Sequence, residues 1–177
     1  MGNRRQPMHM TSSPRQDKDT IEANTTIQCA VEDVFKFYRD FKNLPRFLGD
    51  VMAIEQIGPT MSRWKIQGPL GIRANWTIKV TEERTNELIR YETVTFSGLR
   101  TYWEIHFCCG SHARETEVRE RMKTPLGRLI RTRGTWPDGK VPAEEVSSNL
   151  QRLKEIMLTG NVTDTSYSVA GKFAPGR

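Results

Sequence analysis

Six short β-type segments, joined by connections of a few residues, constrain the fold of this chain more than any other feature of its sequence. The segments span residues 51–58, 62–67, 72–82, 87–95, 99–108 and 115–122. Their connections are rich in turn residues, such as Gly58-Pro59 and Thr85-Asn86. Because strands joined by short turns run in opposite directions, the pattern predicts an antiparallel meander. A further strand is predicted over residues 20–27, so about seven strands should form one sheet.

Alternation within these segments predicts which face of the sheet is buried. Over residues 72–80 apolar side chains, including Trp76 and Ile78, alternate with polar ones. Over residues 99–107 the same alternation places Trp103 and Ile105 on the apolar side. Successive side chains of a strand point to opposite faces of the sheet. We therefore expect one apolar, aromatic face and one solvated face.

Two regions of helical periodicity, one after the first strand and one near the C-terminus, are expected to cover the apolar face. The first has an apolar stripe formed by Val31, Val34, Phe35 and Tyr38. Pro45 then marks the start of a second, short helix, because proline is favoured at the first helical position. The last helix, residues 142–158, has a stripe formed by Val146, Leu150, Leu153 and Met157, and Gly160 ends it.

The predicted fold class is therefore α+β. A curved antiparallel sheet of about seven strands wraps around a long C-terminal helix, with two short helices after the first strand. The domain is expected to span residues 19–160. Residues 1–18 and 161–177 lack apolar periodicity and are predicted to be flexible tails.

Charge is concentrated in one part of this basic chain, whose formal net charge is +6. The basic residues there are Arg121, Lys123, Arg128, Arg131 and Arg133. With the apolar residues between them, residues 121–133 could form an amphipathic segment that touches an anionic membrane surface, although such a run is more often a solvated edge. Nucleic acid is the less favoured partner, because no aromatic residue for base stacking lies between residues 121 and 133.

Cysteine and histidine placement argues against metal and triad chemistry. The three cysteines include the neighbours Cys108 and Cys109, which are poorly placed to pair, so reduced thiols in a cytoplasm are expected. His9, His106 and His112 are separated and have no metal-ligand spacing. No metal and no cofactor are predicted. No apolar run of 18 residues is present, which predicts a soluble cytoplasmic protein.

Several short motifs occur in a characteristic order along the chain. They are Asp40-Phe41-Lys42-Asn43-Leu44-Pro45-Arg46-Phe47, Ser62-Arg63-Trp64, Gly68-Pro69-Leu70-Gly71 followed by Trp76, and Leu150-Gln151-Arg152-Leu153-Lys154 with Thr159-Gly160. Together with the order of elements, they resemble the START-like (SRPBCC, helix-grip) superfamily, in its bacterial polyketide cyclase/dehydrase branch. The resemblance covers roughly residues 19–160.

The resemblance implies a cavity between the sheet and the last helix, but not its contents. Members of the superfamily bind lipids, sterols, polyketides or quinones, and some are cyclases or aromatases. This chain departs from the pattern at two places. A basic segment over residues 124–131 replaces a proline-rich loop. Trp103 stands where a smaller residue is more usual, which would narrow the cavity.

The side chains expected to line such a cavity, of roughly 300–1,000 Å³, come from the sheet and the last helix. They are Trp64, Trp76, Tyr91, Trp103, Ile105, Leu150, Leu153 and Met157. Each of them alone is more often ordinary core, and together they favour a cavity only because the fold does. Thr93 and Glu120 are polar residues predicted on the same face. Glu120 is expected either to anchor a ligand or to pair with an arginine at the sheet edge, because a buried carboxylate without a partner is costly.

Three functions are compatible with these residues. The first is a non-enzymatic binding or carrier protein for a hydrophobic small molecule such as a lipid, a quinone or a polyketide-like compound. The second is a cyclase or aromatase in which Glu120 and Tyr91 assist proton transfer. The third is an interaction module whose vestigial pocket is filled by Trp103.

Overall fold

The computed structural model describes residues 20–67, 71, 73–94, 100–112, 114–124 and 142–174. The predicted N-terminal tail and the loop at residues 68–70 lie outside the described residues. So do Arg128, Arg131 and Arg133 of the basic segment. Contact with an anionic membrane through residues 121–133 therefore stays a prediction.

Within the described part of the chain, seven strands form one antiparallel sheet, as the meander pattern predicted. The strands are β1 (Thr20–Ile27), β2 (Val51–Gln56), β3 (Met61–Gln67), β4 (Arg73–Arg84), β5 (Leu88–Thr93), β6 (Tyr102–Cys109) and β7 (Thr116–Lys123). Their order across the sheet is β1-β7-β6-β5-β4-β3-β2. The last six strands thus form the meander, and β1 adds to it beside β7.

The two helical segments after β1 are α1 (Val31–Arg39) and a 3₁₀ helix (Phe41–Arg46). The predicted apolar stripe of α1 is fully buried. The prediction that Pro45 starts the second helix is wrong, because that helix begins at Phe41 and contains Pro45. The Asp40 carboxylate accepts a hydrogen bond from the backbone N–H of Lys42 at 3.2 Å and so caps the earlier start.

The long helix α2 (Pro142–Thr159) packs against the inner face of the sheet, mainly along β1. Its predicted stripe is confirmed, because Val146, Leu150 and Leu153 are buried and Met157 is half-buried. Gly160 ends the helix with a φ of 78°, in the left-handed region that glycine adopts without strain. The predicted α+β helix-grip architecture is therefore confirmed.

A buried arginine joins α2 to the segment that follows it. Arg152 is 0% exposed, and its Nε donates a hydrogen bond to the carbonyl oxygen of Phe47 at 2.7 Å. Its Nη1 donates to the carbonyl oxygen of Ser166 at 2.6 Å and lies 3.6 Å from the Asp164 carboxylate. These bonds hold residues 161–174 against the residues that precede β2.

A second cation strengthens the same contact. The Lys172 ammonium donates hydrogen bonds to the carbonyl oxygens of Leu48 and Val51. Burial lowers its pKa to about 8, although the charge of Asp50 acts in the opposite direction. The sequence predicted a flexible tail here, whereas residues 161–174 have defined contacts, because the buried Arg152 and the half-buried Lys172 donate to carbonyl groups of this segment and of residues 47–51. The domain boundary at residue 160 stays a prediction.

A substitution at Gly49 would test how closely residues 161–174 pack against the residues before β2. A Cβ atom at Gly49 would lie 2.6 Å from the carbonyl oxygen of Tyr167 and 3.0 Å from Nη2 of Arg152. We expect Gly49→Ala to lower the free energy of unfolding by about 1–3 kcal/mol, because overpacking forces the backbone to move. Urea unfolding and limited proteolysis of residues 161–174 would measure the effect.

The matched control is Gly58→Ala, whose added Cβ would meet the Cβ of Met61 at an ordinary 3.7 Å. It should change stability much less than Gly49→Ala does. Equal stability of the two variants would contradict the proposed tight contact.

Candidate functional site

The residues predicted to line a cavity lie on the inner face of the sheet and on α2. Those that are buried are Trp64, Tyr91, Thr93, Ile105, Glu120, Leu150 and Leu153, and those that are half-buried are Trp76, Trp103 and Met157. The apolar members belong to one hydrophobic cluster or pack directly against it. Their common location is thus established, while their contact with a ligand stays a prediction.

Strand register brings the aromatic members together in a layer. Trp64 lies opposite Trp76 across β3 and β4, and Tyr91 lies opposite Trp103 across β5 and β6. The rings of Tyr91 and Trp103 are stacked, with centroids 5.2 Å apart and planes at 18°. Phe41, from the 3₁₀ helix, contacts Trp64 and Tyr91 edge-on, with both centroid distances 5.7 Å. Aromatic pairs in such geometries contribute beyond their buried area.

Three polar groups lie in this apolar interior. The hydroxyl oxygens of Tyr38, from α1, and Tyr91, from β5, are 3.2 Å apart and share a hydrogen bond. Glu120, from β7, is 3% exposed, and its opposite residues on the two neighbouring strands are Ala23 and Ile105. Neither neighbour offers a side-chain hydrogen bond. Oε2 of Glu120 is buried without a hydrogen-bond partner among the described residues.

Burial changes the ionisation of this group. Burial, the larger cause, and the nearby charge of Asp50 together raise the pKa of Glu120 to about 8. Burial also raises the pKa of Tyr38 and of Tyr91 well above the usual value. At neutral pH Glu120 is therefore mostly a neutral acid, which both donates and accepts hydrogen bonds.

The expectation that Glu120 pairs with an arginine at the sheet edge is not met among the described residues. The neighbouring arginines of β7, Arg119 and Arg121, point to the opposite face, where both contact the carboxylate of Glu22. The two-residue period of a strand explains this separation, since residue 120 points inward when residues 119 and 121 point outward.

Thr93 shares the inner face but has a structural partner. Its hydroxyl oxygen accepts a hydrogen bond from the backbone N–H of Thr101 at 2.9 Å. The Thr101 hydroxyl in turn donates to the hydroxyl oxygen of Thr124 at 3.3 Å. These contacts tie the ends of β5 and β7 to the residues before β6, so the Thr93 side chain has a role without any ligand.

A surface cleft of about 210 Å³ lies between the 3₁₀ helix and strands β2 to β4. Ser62 and Val80 line its floor and Phe41 forms part of its wall. Because Phe41 also contacts Trp64 and Tyr91, its ring borders both the cleft and the buried aromatic layer.

Sequence reasoning missed two residues that affect the polar site, Tyr38 and Asp50. Tyr38 was expected only as the last residue of an apolar helical stripe, and Asp50 was not singled out. Tyr38 could have been identified, because the other residues of its helical stripe are aliphatic or phenylalanine and a buried tyrosine hydroxyl needs a hydrogen-bond partner. The effect of Asp50 on Glu120 depends on how β2 enters the sheet, which no local pattern records.

The two histidines that the structure describes, His106 and His112, lie away from the interior. His106 is on the outer face of β6, with Nε2 2.5 Å from the Glu104 carboxylate, which also accepts from Arg90 at 2.6 Å. His112 is exposed and lies 3.2 Å from Glu115. Within the described ranges, no group of three or more potential metal ligands is present, and no helix is long and apolar enough to cross a bilayer.

The fold and the buried site define a helix-grip domain with a mostly apolar interior. The sequence matches the family described as polyketide cyclase / dehydrase and lipid transport over residues 27–173. The chain belongs to this family, which confirms the resemblance inferred from its motifs. Comparison with curated protein sequences finds no match.

Solved structures show the same fold at low sequence identity. A Deinococcus radiodurans protein is similar with a TM-score of 0.62 at 20% identity, covering 80% of this chain and 98% of its own. A Thermus thermophilus protein has a TM-score of 0.62 at 21% identity, with the same coverages of 80% and 98%. A START superfamily protein from Mycobacterium smegmatis has a TM-score of 0.58 at 9% identity, covering 77% and 98%.

Glu120 should make stability depend on pH in a defined direction. Its pKa is about 8 in the folded chain, against the ordinary value of 4.5 in the unfolded chain, so between these values the folded state holds the extra proton. Stability is then fully present below pH 4.5 and falls as pH rises toward 8, by up to roughly 1 kcal/mol per pH unit. Glu120→Gln should flatten this decline.

Urea unfolding at pH 5, 6 and 7.5 measures the slope. Glu117→Gln is the matched control, because Glu117 lies on the same strand with its side chain 40% exposed on the other face. A wild-type slope that Glu120→Gln leaves unchanged would show that Glu120 ionises as freely in the folded chain as in the unfolded one.

Proposed function

We propose that this chain binds a hydrophobic small molecule, of lipid, quinone or polyketide type, between the sheet and α2, and that it acts as a carrier for that molecule. Membership of a family described by polyketide cyclisation, dehydration and lipid transport supports a hydrophobic ligand. The aromatic layer and the apolar stripe of α2 supply matching surfaces.

The observation that carries this proposal is the unpartnered Oε2 of Glu120 in an apolar interior. Leaving a buried polar atom without a hydrogen bond costs about 1–3 kcal/mol. A glutamine, leucine or methionine at this position of β7 would avoid the ionisation cost and keep the fold. A ligand that pairs with the carboxyl and is otherwise apolar accounts for both the polar group and its surroundings.

Binding should be detectable directly. Native mass spectrometry and thermal-shift assays with a panel of fatty alcohols, quinones and sterols should reveal at least one ligand class for the wild-type chain. Trp103→Ala should strengthen binding of bulkier members, because Trp103 is stacked on Tyr91 and its removal opens space beside that ring.

Tyr102→Ala is the control for this variant, because Tyr102 is the preceding residue on β6 and is 45% exposed. It should leave binding as in the wild type. Binding that appears only in Trp103→Ala would instead support an interaction module with a filled pocket. The absence of any ligand in both proteins would contradict the carrier proposal.

A cyclase or aromatase is the second candidate, and the ionisation of Glu120 is the observation that favours it. A general acid or base works best when its pKa lies near the working pH, and Glu120 has a pKa of about 8. The Tyr91 hydroxyl, hydrogen-bonded to Tyr38, would be a second proton donor on the same face.

Turnover of a polyketide-like substrate distinguishes an enzyme from a carrier. If Glu120 transfers a proton, Glu120→Gln should lower kcat by about 10²-fold or more, since a positioned acid or base contributes about that much. Glu117→Gln should have no effect on kcat. Equal turnover by the wild type and Glu120→Gln would remove Glu120 from any catalytic role.

A further inference from the structure

Among the described residues, the polar groups that act on Glu120 carry no positive charge. Its carboxyl comes from β7, and the hydroxyl groups of Tyr38 and Tyr91 come from α1 and β5. Among the described residues Glu120 takes part in no ion pair, and Oε2 has no hydrogen-bond partner. Glu120 is also close enough to raise the pKa of both tyrosines, so a molecule that reaches this region would meet an unpartnered carboxyl oxygen and two phenolic hydroxyls.

Among the described residues, the charge that acts on Glu120 is the negative charge of Asp50. Asp50, which precedes β2, lies close enough to disfavour ionisation of Glu120, and it acts in the same direction on Tyr91. The facing residues of β1 and β6, Ala23 and Ile105, carry no charge. An anion placed here would add to the negative potential.

Two cations among the described residues, the buried Arg152 and the half-buried Lys172, are committed to other groups. Arg152 of α2 donates to the carbonyl oxygens of Phe47 and Ser166 at 2.7 and 2.6 Å. Lys172 donates to carbonyl oxygens that flank Asp50 in the chain. Redirecting either cation to a ligand would break the bonds that hold residues 161–174, so neither is a ready counter-ion for a bound anion.

We propose that the interior site selects an apolar ligand whose polar end is an uncharged hydroxyl or carbonyl group, and that it discriminates against a carboxylate on the same hydrocarbon chain. This inference rests on the proposed binding function and specifies its ligand. A hydroxyl exchanges hydrogen bonds with Glu120 and the tyrosine pair without introducing charge. A carboxylate loses its hydration and gains no cation in return.

Three probes with one hydrocarbon chain test the inference: 1-decanol, decanoate and decylammonium. Their affinities are measured at pH 7 by displacement of a fluorescent apolar probe and by native mass spectrometry. We expect decanol to bind at least about tenfold more tightly than decanoate, because a tenfold difference in affinity corresponds to roughly the net free energy of one hydrogen bond. Glu120→Leu should reduce the affinity for decanol by a similar factor.

Glu120→Gln and Glu117→Gln serve as controls. The glutamine at position 120 keeps a neutral donor and acceptor, so it should retain the preference for decanol. Raising the pH from 7 to 9 should weaken decanoate binding further in the wild type, because Glu120 then ionises, but not in Glu120→Gln. Glu117→Gln, on the outer face of the same strand, should behave as the wild type.

The results that would contradict these expectations are distinguishable. Equal affinities for decanol and decanoate, or tightest binding of decylammonium, would overturn the selectivity while leaving hydrophobic binding in place. Decanol affinity unchanged in Glu120→Leu would place the ligand elsewhere, for instance in the cleft beside Phe41, and would also overturn the inference. Failure of all three probes to bind would count against the proposed function itself.

Discussion

The contact between the inner face of the sheet and α2 is the constraint on which the rest of the structure depends. The two-residue period of the strands places aromatic and aliphatic side chains on one face, and the stripe of α2 is the apolar surface that covers it. Leu150 and Leu153 are buried in the same cluster as Ile105 and Tyr91. Residues that point inward are thereby removed from water, whether they are apolar or not. Glu120 is one of them, because alternation along β7 directs its side chain to the inner face.

Much of this arrangement could be predicted from the sequence because it depends on local periodicity. Alternation in β4 and β6 identified the buried face, and spacing in α1 and α2 identified the stripes that cover it. The start of the 3₁₀ helix could not be placed, since the cap supplied by Asp40 competes with the proline signal at Pro45. The apolar periodicity does not show whether Asp40 or Pro45 determines where the helix begins.

The composition of the site was only partly predictable for a related reason. The inward direction of Glu120 follows from counting along β7, so it was found. The pairing of Tyr38 with Tyr91 joins residues 53 positions apart, and it depends on the angle at which α1 crosses the sheet. The anchoring of residues 161–174 likewise depends on Arg152, which a helical pattern would place on a polar face. Contacts of this kind are set by tertiary packing, which no window of sequence contains.

Arg152 and Glu120 are both buried residues of charged type, but they differ in how far the fold itself accounts for their burial. Arg152 is 0% exposed and has hydrogen-bond partners at Phe47, Asn149 and Ser166, so its burial is explained by the fold that it holds together. Glu120 is 3% exposed and has an open oxygen. A fold selected only for stability would not retain a desolvated carboxyl oxygen that makes no internal bond. Under the proposed function, the partner for that oxygen is a molecule that enters the interior, and the negative charge of Asp50 would restrict which molecule that is.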